Sequence, residues 1–283
     1  LVPAATSTTP PATPAKPSEI VLSFKSDVQT FDVTNTTDAT TWSFMANVYD
    51  ALIRMSDSDP AKSEPELAES WQLVNDTTWR FKLRKGVKFH NGEEFNAESV
   101  KFTLDSITDA RRNPKGRGFY GRFTGCTIVD PYTIDITTRG PYAICLTPLQ
   151  MMFLLPPKYA KEKGWDEIAV HPVGTGAYKL AEWKKDVHCK FEAFDGYWRG
   201  KPAIAKFTVR PIPEDAARIA ALQNGEVDWI ASVPYDRIKE LETGKNTRVT
   251  ARFGEMVAGW FDTLKFEPFK IKKVRQALNY AVN

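Results

Sequence analysis

The sequence has few cysteines and no long hydrophobic run. Its longest apolar tract, Met151–Pro157, is far shorter than the ~20 residues that a membrane-spanning helix needs. The three cysteines are an odd number and none belongs to a CxxC pair, so neither a complete disulfide set nor a zinc or redox site is indicated. We interpret Cys126, Cys145 and Cys189 as small buried side chains. A bridge between Cys126 and Cys145 is the alternative.

The sequence also lacks the local motifs of several enzyme classes. It has no GxSxG elbow, no HExxH motif and no P-loop. The histidines His90, His171 and His188 lie in unrelated segments, and we interpret each as structural or solvated. The 35 acidic residues are scattered, so no two of them are selected as a glycosidase pair. We therefore predict no enzymatic activity, no cofactor and no metal site.

Charge of neither sign is in excess. The 38 basic and 35 acidic residues give a formal net charge of +3, without a run of five or six like charges. This balance argues against a nucleic-acid partner. Hydrophobic residues make up 42% and charged residues 26% of the chain, as is ordinary for a globular protein.

Residues 1–17 contain almost no charge and little that could be buried. They hold five of the 19 prolines, interleaved with Ala, Thr and Ser. Such a stretch stays extended and solvated because it cannot offset the entropy lost on ordering. We predict a disordered tether over 1–17, with an ordinary disordered terminus as the alternative. The first residue is Leu1 rather than Met, and helical spacing begins at 272 with no stop signal, so we expect a truncated chain.

The remaining sequence alternates between strand and helix patterns. Trp79, Phe81 and Leu83 alternate with polar residues, which predicts a strand with one buried face. Asn96 stands where the N-cap of a following helix belongs. Further strands are predicted at 20–24, 128–136 (a hairpin), 189–193, 207–209 and 227–230, and further helices at 42–54, within 148–159, at 213–225 and from 272. Mixed strands and helices without an internal repeat predict an α/β fold.

Several motifs resemble one family in their order and spacing. The segments are Ala68–Leu73 and Thr78–Gly92, followed by Pro172–Tyr178, Gly196–Trp198, Ala221–Asp228 and Pro268–Leu278. Together they resemble the family 5 bacterial extracellular solute-binding proteins, which serve peptide, nickel and related ABC importers. The motifs themselves are mostly structural. We interpret the block from Trp79 to Asn91 as a hairpin of a scaffold domain, and Gly174 and Gly176 as positions of tight backbone geometry.

The resemblance implies an α/β fold of the periplasmic-binding-protein type, with three lobes (type II, cluster C). Lobe I would comprise residues 18–56 and 174–267, and lobe II would be the inserted block 57–173. Residues 268–283 would begin lobe III, which is largely missing. In this family the ligand is trapped between lobes I and III by hinge closure.

The resemblance also implies three ligand-facing loops in lobe I. The sequence departs from the family after the third of them, where it has Phe261-Asp262-Thr263 and lacks the asparagine that is often found there. The candidate ligand-binding residues are Thr37, Asp38, Ala39 and Thr40, then Ile230, Ala231 and Ser232, and finally Met256, Gly259 and Trp260.

The function implied is that of the extracytoplasmic substrate-binding component of an ABC importer. Its partners would be an oligopeptide, a dipeptide or a similar small solute and the permease subunits, and the protein would be a monomer. It would be periplasmic or extracytoplasmic, and either lipid-anchored or free after cleavage of a signal peptide. A secreted polysaccharide or peptide hydrolase is the alternative, based on the eight tryptophans and nine tyrosines that could line a cleft. A signalling or chaperone-like binding protein on the same scaffold is a third reading.

Overall fold

The computed structural model describes residues 19–59, 62–112, 114–244, 247–250 and 271–280. Contacts divide the chain into two compact units, Leu1–Asp236 and Arg237–Asn283. The strands are β1 Glu19–Phe24, β2 Ile53–Met55, β3 Ser63–Pro65, β4 Ala68–Asn75, β5 Thr78–Leu83, β6 Phe123–Asp130, β7 Thr133–Thr138, β8 Tyr178–Lys184, β9 His188–Ala193, β10 Lys206–Pro211 and β11 Trp229–Ile230. The helices are α1 Ala39–Val48, α2 Ala97–Thr108, α3 Arg117–Tyr120, α4 Leu146–Leu149, α5 Pro157–Lys163, α6 Trp165–Val170, α7 Asp215–Gln223, α8 Tyr235–Thr243 and α9 Lys272–Tyr280.

A five-stranded mixed sheet has the order β11-β1-β10-β9-β8. β1 runs parallel to both β10 and β11, while β10, β9 and β8 are joined in antiparallel pairs. Because β1 is separated from its two parallel neighbours by most of the unit, this sheet forms only when distant segments meet. The buried side chains on it, such as Phe191, Phe207 and Val209, pack with Phe44 and Val48 of α1.

A second sheet is four-stranded and antiparallel, with the order β4-β5-β7-β6. Its core side chains include Phe81 and Ile134, which pack with Val100 and Leu104 of α2. The Asn96 side chain accepts a hydrogen bond from the Glu98 N–H at 2.9 Å and caps α2 as predicted. The two strands β2 and β3 form a separate small ladder. The lobe boundaries implied by the resemblance stay a prediction.

The first helix differs from its prediction at both ends. It was predicted to span 42–54, but it begins at Ala39 and ends at Val48. It begins early because the Asp38 carboxylate accepts the Thr41 N–H at 2.7 Å, which is an N-cap. It ends early because the following residues from Ile53 onward pair with β3, and a strand pairing cannot be made from a helix.

Three other predictions also need correction. The block from Trp79 to Asn91 is not a hairpin by itself, because β5 pairs with β4 on one side and β7 on the other. Helical structure within 148–159 is limited to the end of α4 and the start of α5, and Ala51 bridges Phe153 between them. The strand predicted at 227–230 is regular only at Trp229–Ile230, with single backbone hydrogen bonds to β1 from the residues on either side. Among the described residues, no helix combines the length and the hydropathy needed to cross a membrane.

Candidate functional site

Two of the three predicted loops lie at one edge of the five-stranded sheet. β1 and β11 are parallel neighbours, so the loops that follow them leave the sheet at the same end. The Phe24 ring lies 5.0 Å from Phe44 of α1 and 5.4 Å from Trp229 of β11, measured between ring centroids. The Phe24 ring thus contacts both the middle of α1 and the first residue of β11.

The first loop ends at the N-terminus of α1. Thr37 and Ala39 are exposed, while Asp38 and Thr40 are partly buried. The Asp38 carboxylate is already used as the helix cap, so it has less freedom to bind a ligand than its sequence position suggests. Thr37 is the polar side chain of this loop that is exposed to solvent.

The second loop continues from β11. Ile230 is buried, Ala231 is partly buried and Ser232 is exposed. The Ala231 N–H donates to the Ser23 carbonyl at 2.9 Å, which extends the pairing with β1 by one residue. Ser232 has a φ of 58°, a left-handed conformation that is uncommon for a residue other than glycine. The third predicted group, Met256, Gly259 and Trp260, lies outside the described residues.

A buried carboxylate, Asp50, joins two of the motifs that the sequence singled out. Its Oδ2 accepts the Thr175 hydroxyl and the Trp198 indole N–H, both at 2.8 Å. The Tyr197 hydroxyl donates to its Oδ1 at 3.3 Å. Burial raises the pKa of Asp50 above its ordinary value, although these three donors oppose the shift. Sequence reasoning missed Asp50, because it has no periodic or motif context of its own.

A second carboxylate, Glu66, lies near Asp50. Its Oε2 accepts the Ala51 N–H at 3.2 Å. Burial raises the pKa of Glu66 to about 7, and the negative charge of Asp50 adds to the increase, while Arg199 and Arg54 oppose it. Two neighbouring carboxylates with raised pKa values resemble an acid–base pair, but neither is in the loops predicted to contact the ligand. We interpret both carboxylates as structural side chains.

His90 binds the glycine motif at 174–176. Its Nε2 lies 2.9 Å from the Gly176 carbonyl and its Nδ1 lies 3.4 Å from the Gly174 nitrogen. Burial lowers the pKa of His90 to about 4, and Lys179 contributes to the decrease. A neutral ring with the proton on Nε2 satisfies both contacts. His90 is therefore structural, as predicted.

Gly174 and Gly176 lie directly against the end of α1. A Cβ atom added at Gly174 would be 2.0 Å from the Val48 carbonyl oxygen, and one added at Gly176 would be 2.6 Å from that of Asn47. These contacts are with backbone atoms, which cannot move away as a flexible side chain can. The motif at this position thus marks a close backbone approach, as the sequence indicated.

One glycine pattern has the spacing of a dinucleotide-binding loop. Gly116, Gly118 and Gly121 match GxGxxG, but Gly118 lies within the four-residue helix α3, the other two flank it, and a strand follows them instead of preceding them. The dinucleotide fingerprint needs a strand before the glycines and a long helix after them. The structure thus gives this pattern no nucleotide-binding context.

One groove lies away from the predicted loops. It has a volume of about 730 Å³ and is lined by residues of α2, α5 and α6. Within it the Phe102 and Trp165 rings stack at 6.0 Å, and the Arg112 guanidinium lies 3.4 Å from the centre of the Trp165 ring. None of the predicted ligand-binding residues that the structure describes lines this groove, so it is distinct from the two described loops.

The thiols and the acidic residues provide no metal centre within the described ranges. No group of three or more His, Cys, Asp or Glu side chains is placed to hold an ion there. The three cysteines are free, so the alternative of a Cys126–Cys145 bridge is wrong. Cys145 and Cys189 are buried, as predicted, and Cys126 is partly buried.

Comparisons with known proteins agree with this fold. The model of the bacterial extracellular solute-binding proteins, family 5, matches residues 62–283. The glutathione-binding protein GsiB of Escherichia coli O1:K1 is 33% identical over 269 residues, which cover 94% of this chain and 52% of that protein. The chain thus spans about half the length of the curated relatives it matches.

Solved structures of similar proteins share the fold. The Helicobacter pylori binding protein DppA in complex with the peptide STSA is 29% identical, with a TM-score of 0.73 over 81% of this chain and 49% of that chain. The Agrobacterium binding protein MoaA in complex with mannopinic acid is 31% identical, with a TM-score of 0.70 over 75% of this chain and 44% of that chain. The α/β fold and the family model point to the same conclusion: this chain belongs to the family 5 bacterial extracellular solute-binding proteins.

Proposed function

We propose that this chain is part of the extracytoplasmic substrate-binding component of an ABC importer. It binds an oligopeptide, a dipeptide or a similar small solute, and hinge closure holds the solute until it is delivered to the permease. The assignment of residues 57–173 to an inserted lobe II is part of the same proposal. Membership of the family is the observation that supports the proposed function, since the family model matches 222 of the 283 residues, counted from 62 to 283.

The arrangement of the two described loops supports this proposal. Both leave the five-stranded sheet at the same end, and each presents an exposed hydroxyl side chain, Thr37 or Ser232. Trp229 is 47% exposed beside them and offers an apolar surface at the same edge. Backbone groups and hydroxyls beside an aromatic side chain suit a peptide-like ligand, whose main chain is polar and whose side chains are varied.

The ligands named for the relatives support a ligand class for this protein. The curated relative is described as binding glutathione, which is itself a peptide. The two solved structures hold a tetrapeptide and mannopinic acid. We infer a short peptide or an amino-acid conjugate as the ligand of this protein. Rigid closure around such a ligand is a binding process and needs no catalytic residue.

The test is a binding assay on the full-length protein that carries this chain. Calorimetry and thermal shift would be measured with reduced glutathione, Ser-Thr-Ser-Ala, Met-Leu and mannopinic acid. We expect micromolar or tighter binding of at least one of them, with a raised melting temperature. Absence of binding across these probes and a wider panel of peptides would contradict the proposal, and release of a cleaved product would favour the hydrolase instead.

A further inference from the structure

Arg218 is the largest fully buried side chain among the described residues. It belongs to α7, and only 1% of its surface is exposed. A guanidinium is rarely buried to this extent, because removing its charge and its five N–H donors from water is costly unless they are paired. The partners of Arg218 therefore indicate what the side chain is for.

The partners are mainly backbone carbonyl groups of two loops. Nη1 donates to Ile212 at 2.7 Å and to Pro213 at 3.3 Å, in the loop after β10. Nε donates to the Ala231 carbonyl and Nη2 to the Ser232 carbonyl, both at 3.1 Å, in the loop after β11. The planar fork of an arginine can hold two such loops at once, whereas a lysine offers one point charge.

Arg218 also has one acidic partner. Nη2 lies 2.5 Å from the Asp215 carboxylate. That carboxylate is on the same helix and its side chain is 47% exposed, so it does not account for the burial of the guanidinium. The four backbone carbonyl groups therefore provide most of the hydrogen-bond acceptors of the Arg218 guanidinium.

The contacts with Ala231 and Ser232 surround a strained residue. The two carbonyls belong to the peptide groups on either side of the Ser232 Cα, so together they fix the left-handed φ of 58°. Such a conformation costs on the order of 1 kcal/mol or more outside glycine and persists only where neighbouring contacts enforce it. Arg218 supplies two of these contacts, and the Ala231 N–H bond to Ser23 supplies a third.

The orientation of these peptide groups has a consequence for the opposite side of the loop. In a trans peptide the N–H points away from the C=O, so the N–H groups of Ser232 and Val233 point away from Arg218. Within the described ranges, neither of these N–H groups has a hydrogen-bond partner in the protein. Successive free N–H groups beside a left-handed residue form a concave site for a carbonyl or carboxylate oxygen.

We propose that Arg218 is a positioning residue for ligand binding, which holds the Ala231 and Ser232 carbonyls and thereby directs the Ser232 and Val233 N–H groups toward an acceptor oxygen of the ligand. This rests on the function proposed above. Arg218 itself does not touch the ligand, since it is buried behind the loop. A peptide carbonyl or a carboxylate provides the matching acceptor.

The first experiment is Arg218→Lys in the full-length protein, with Arg80→Met as the control. Arg80 forms a partly buried ion pair with Asp135 in the other sheet, so its loss removes an arginine without touching the loop. Hydrogen exchange of the ligand-free protein would be followed by mass spectrometry on peptides covering 229–234 and β9. We expect at least 10-fold faster exchange at 229–234 in Arg218→Lys alone, with β9 unchanged. Unchanged exchange at 229–234 would overturn the proposal.

The second readout is affinity for reduced glutathione, Ser-Thr-Ser-Ala and Met-Leu. For each probe that the natural protein binds, we expect Arg218→Lys to weaken binding at least 10-fold, mainly through faster dissociation, with no change in Arg80→Met. A loosened loop with unchanged affinity would overturn the ligand-directing role. If the natural protein binds neither these probes nor the wider panel of peptides, the proposed function fails, while hydrogen exchange still decides whether Arg218 positions the loop.

A measurement on the natural protein covers the case in which Arg218→Lys does not fold. The ¹⁵N–¹H signals of Ser232 and Val233 would be followed while a bound probe is titrated in. A downfield shift of both amide protons, as a new acceptor produces, supports the proposal. Signals that do not move on saturation with a bound probe would overturn it.

Discussion

Trp198 donates its indole N–H to Asp50 at 2.8 Å, across 147 intervening residues. The same carboxylate accepts from Thr175 and Tyr197, so three donors from two later segments meet one acidic residue that follows α1. Asp50 is 4% exposed. The motifs that identify the family at 172–178 and 196–198 thus have a common physical task, which is to satisfy this buried carboxylate.

Replacing Asp50 with alanine should destabilise the fold strongly. The change leaves the Trp198 and Thr175 donors buried without an acceptor, at a cost of about 1–3 kcal/mol for each unsatisfied group. We expect a loss of about 2–5 kcal/mol in the free energy of unfolding, measured by urea denaturation. Asp76→Ala, at an exposed turn, is the matched control and should change stability by less than about 0.5 kcal/mol. A loss at Asp50 no larger than that of the control would contradict this role.

Gly174→Ala should also be destabilising. Its new Cβ would lie 2.0 Å from the Val48 carbonyl oxygen, so the backbone of α1 or of the 174–176 segment has to shift. Overpacking of this kind costs about 1–3 kcal/mol, and a fixed backbone neighbour places it at the upper end. Gly118→Ala, in α3, has nothing within 4 Å of the new atom and should be neutral or slightly stabilising. Thermal unfolding of both variants checks the difference, and equal melting temperatures would refute it.

Glu66→Gln should change the pH dependence of stability. The folded-state pKa of Glu66 is about 7, above the ordinary 4.5, so the folded protein binds the proton more tightly than the unfolded chain. The stability linked to this proton is complete below pH 4.5 and is lost as the pH rises through 7. Relative to the natural protein, Glu66→Gln should therefore gain up to about 3 kcal/mol between pH 4.5 and pH 8. Urea denaturation midpoints of both proteins over this pH range test the prediction. A difference in stability that does not vary with pH would contradict it.

His90→Gln should also change the pH dependence of stability, but in the direction opposite to that of Glu66→Gln. The folded-state pKa of His90 is about 4, below the ordinary 6.5, so the unfolded chain takes up the proton first as the pH falls. The natural protein loses up to about 3 kcal/mol from this group between pH 6.5 and pH 4, and the variant should not. Because Glu66 and His90 act in overlapping ranges with opposite signs, they largely cancel in the natural protein. The double variant should lack both contributions, and two single variants whose stability changes with pH in the same direction would exclude this account.

The three thiols should react slowly in the folded protein. Burial raises the pKa of Cys145 to about 11 and that of Cys126 to about 12, and it raises the pKa of Cys189 as well. Thiolate is the reactive form, so little of it is present near neutral pH. We expect three thiols to be labelled by Ellman's reagent in denaturant and fewer than one within minutes in the folded protein. Finding only one thiol in denaturant would instead indicate a disulfide.

Local patterns in the sequence were sufficient for elements whose signals are short-range. The alternation at Trp79, Phe81 and Leu83 predicted β5, and Asn96 predicted the start of α2, because pleat and cap chemistry act within a few residues. The pattern at 42–54 was misread, since apolar spacing alone does not show that Ile53 leaves the helix to pair with Pro65.

The sequence by itself determined the α/β class, the family and the places where most strands and helices occur, because these depend on periodicity and on motifs of fixed spacing. Only the tertiary structure decided which distant groups meet: Asp50 with Thr175 and Trp198, and Arg218 with the carbonyls of Ala231 and Ser232. The physical reason is that a buried charge gains its partners from chain segments brought together by the core, and no local pattern encodes which segments those are.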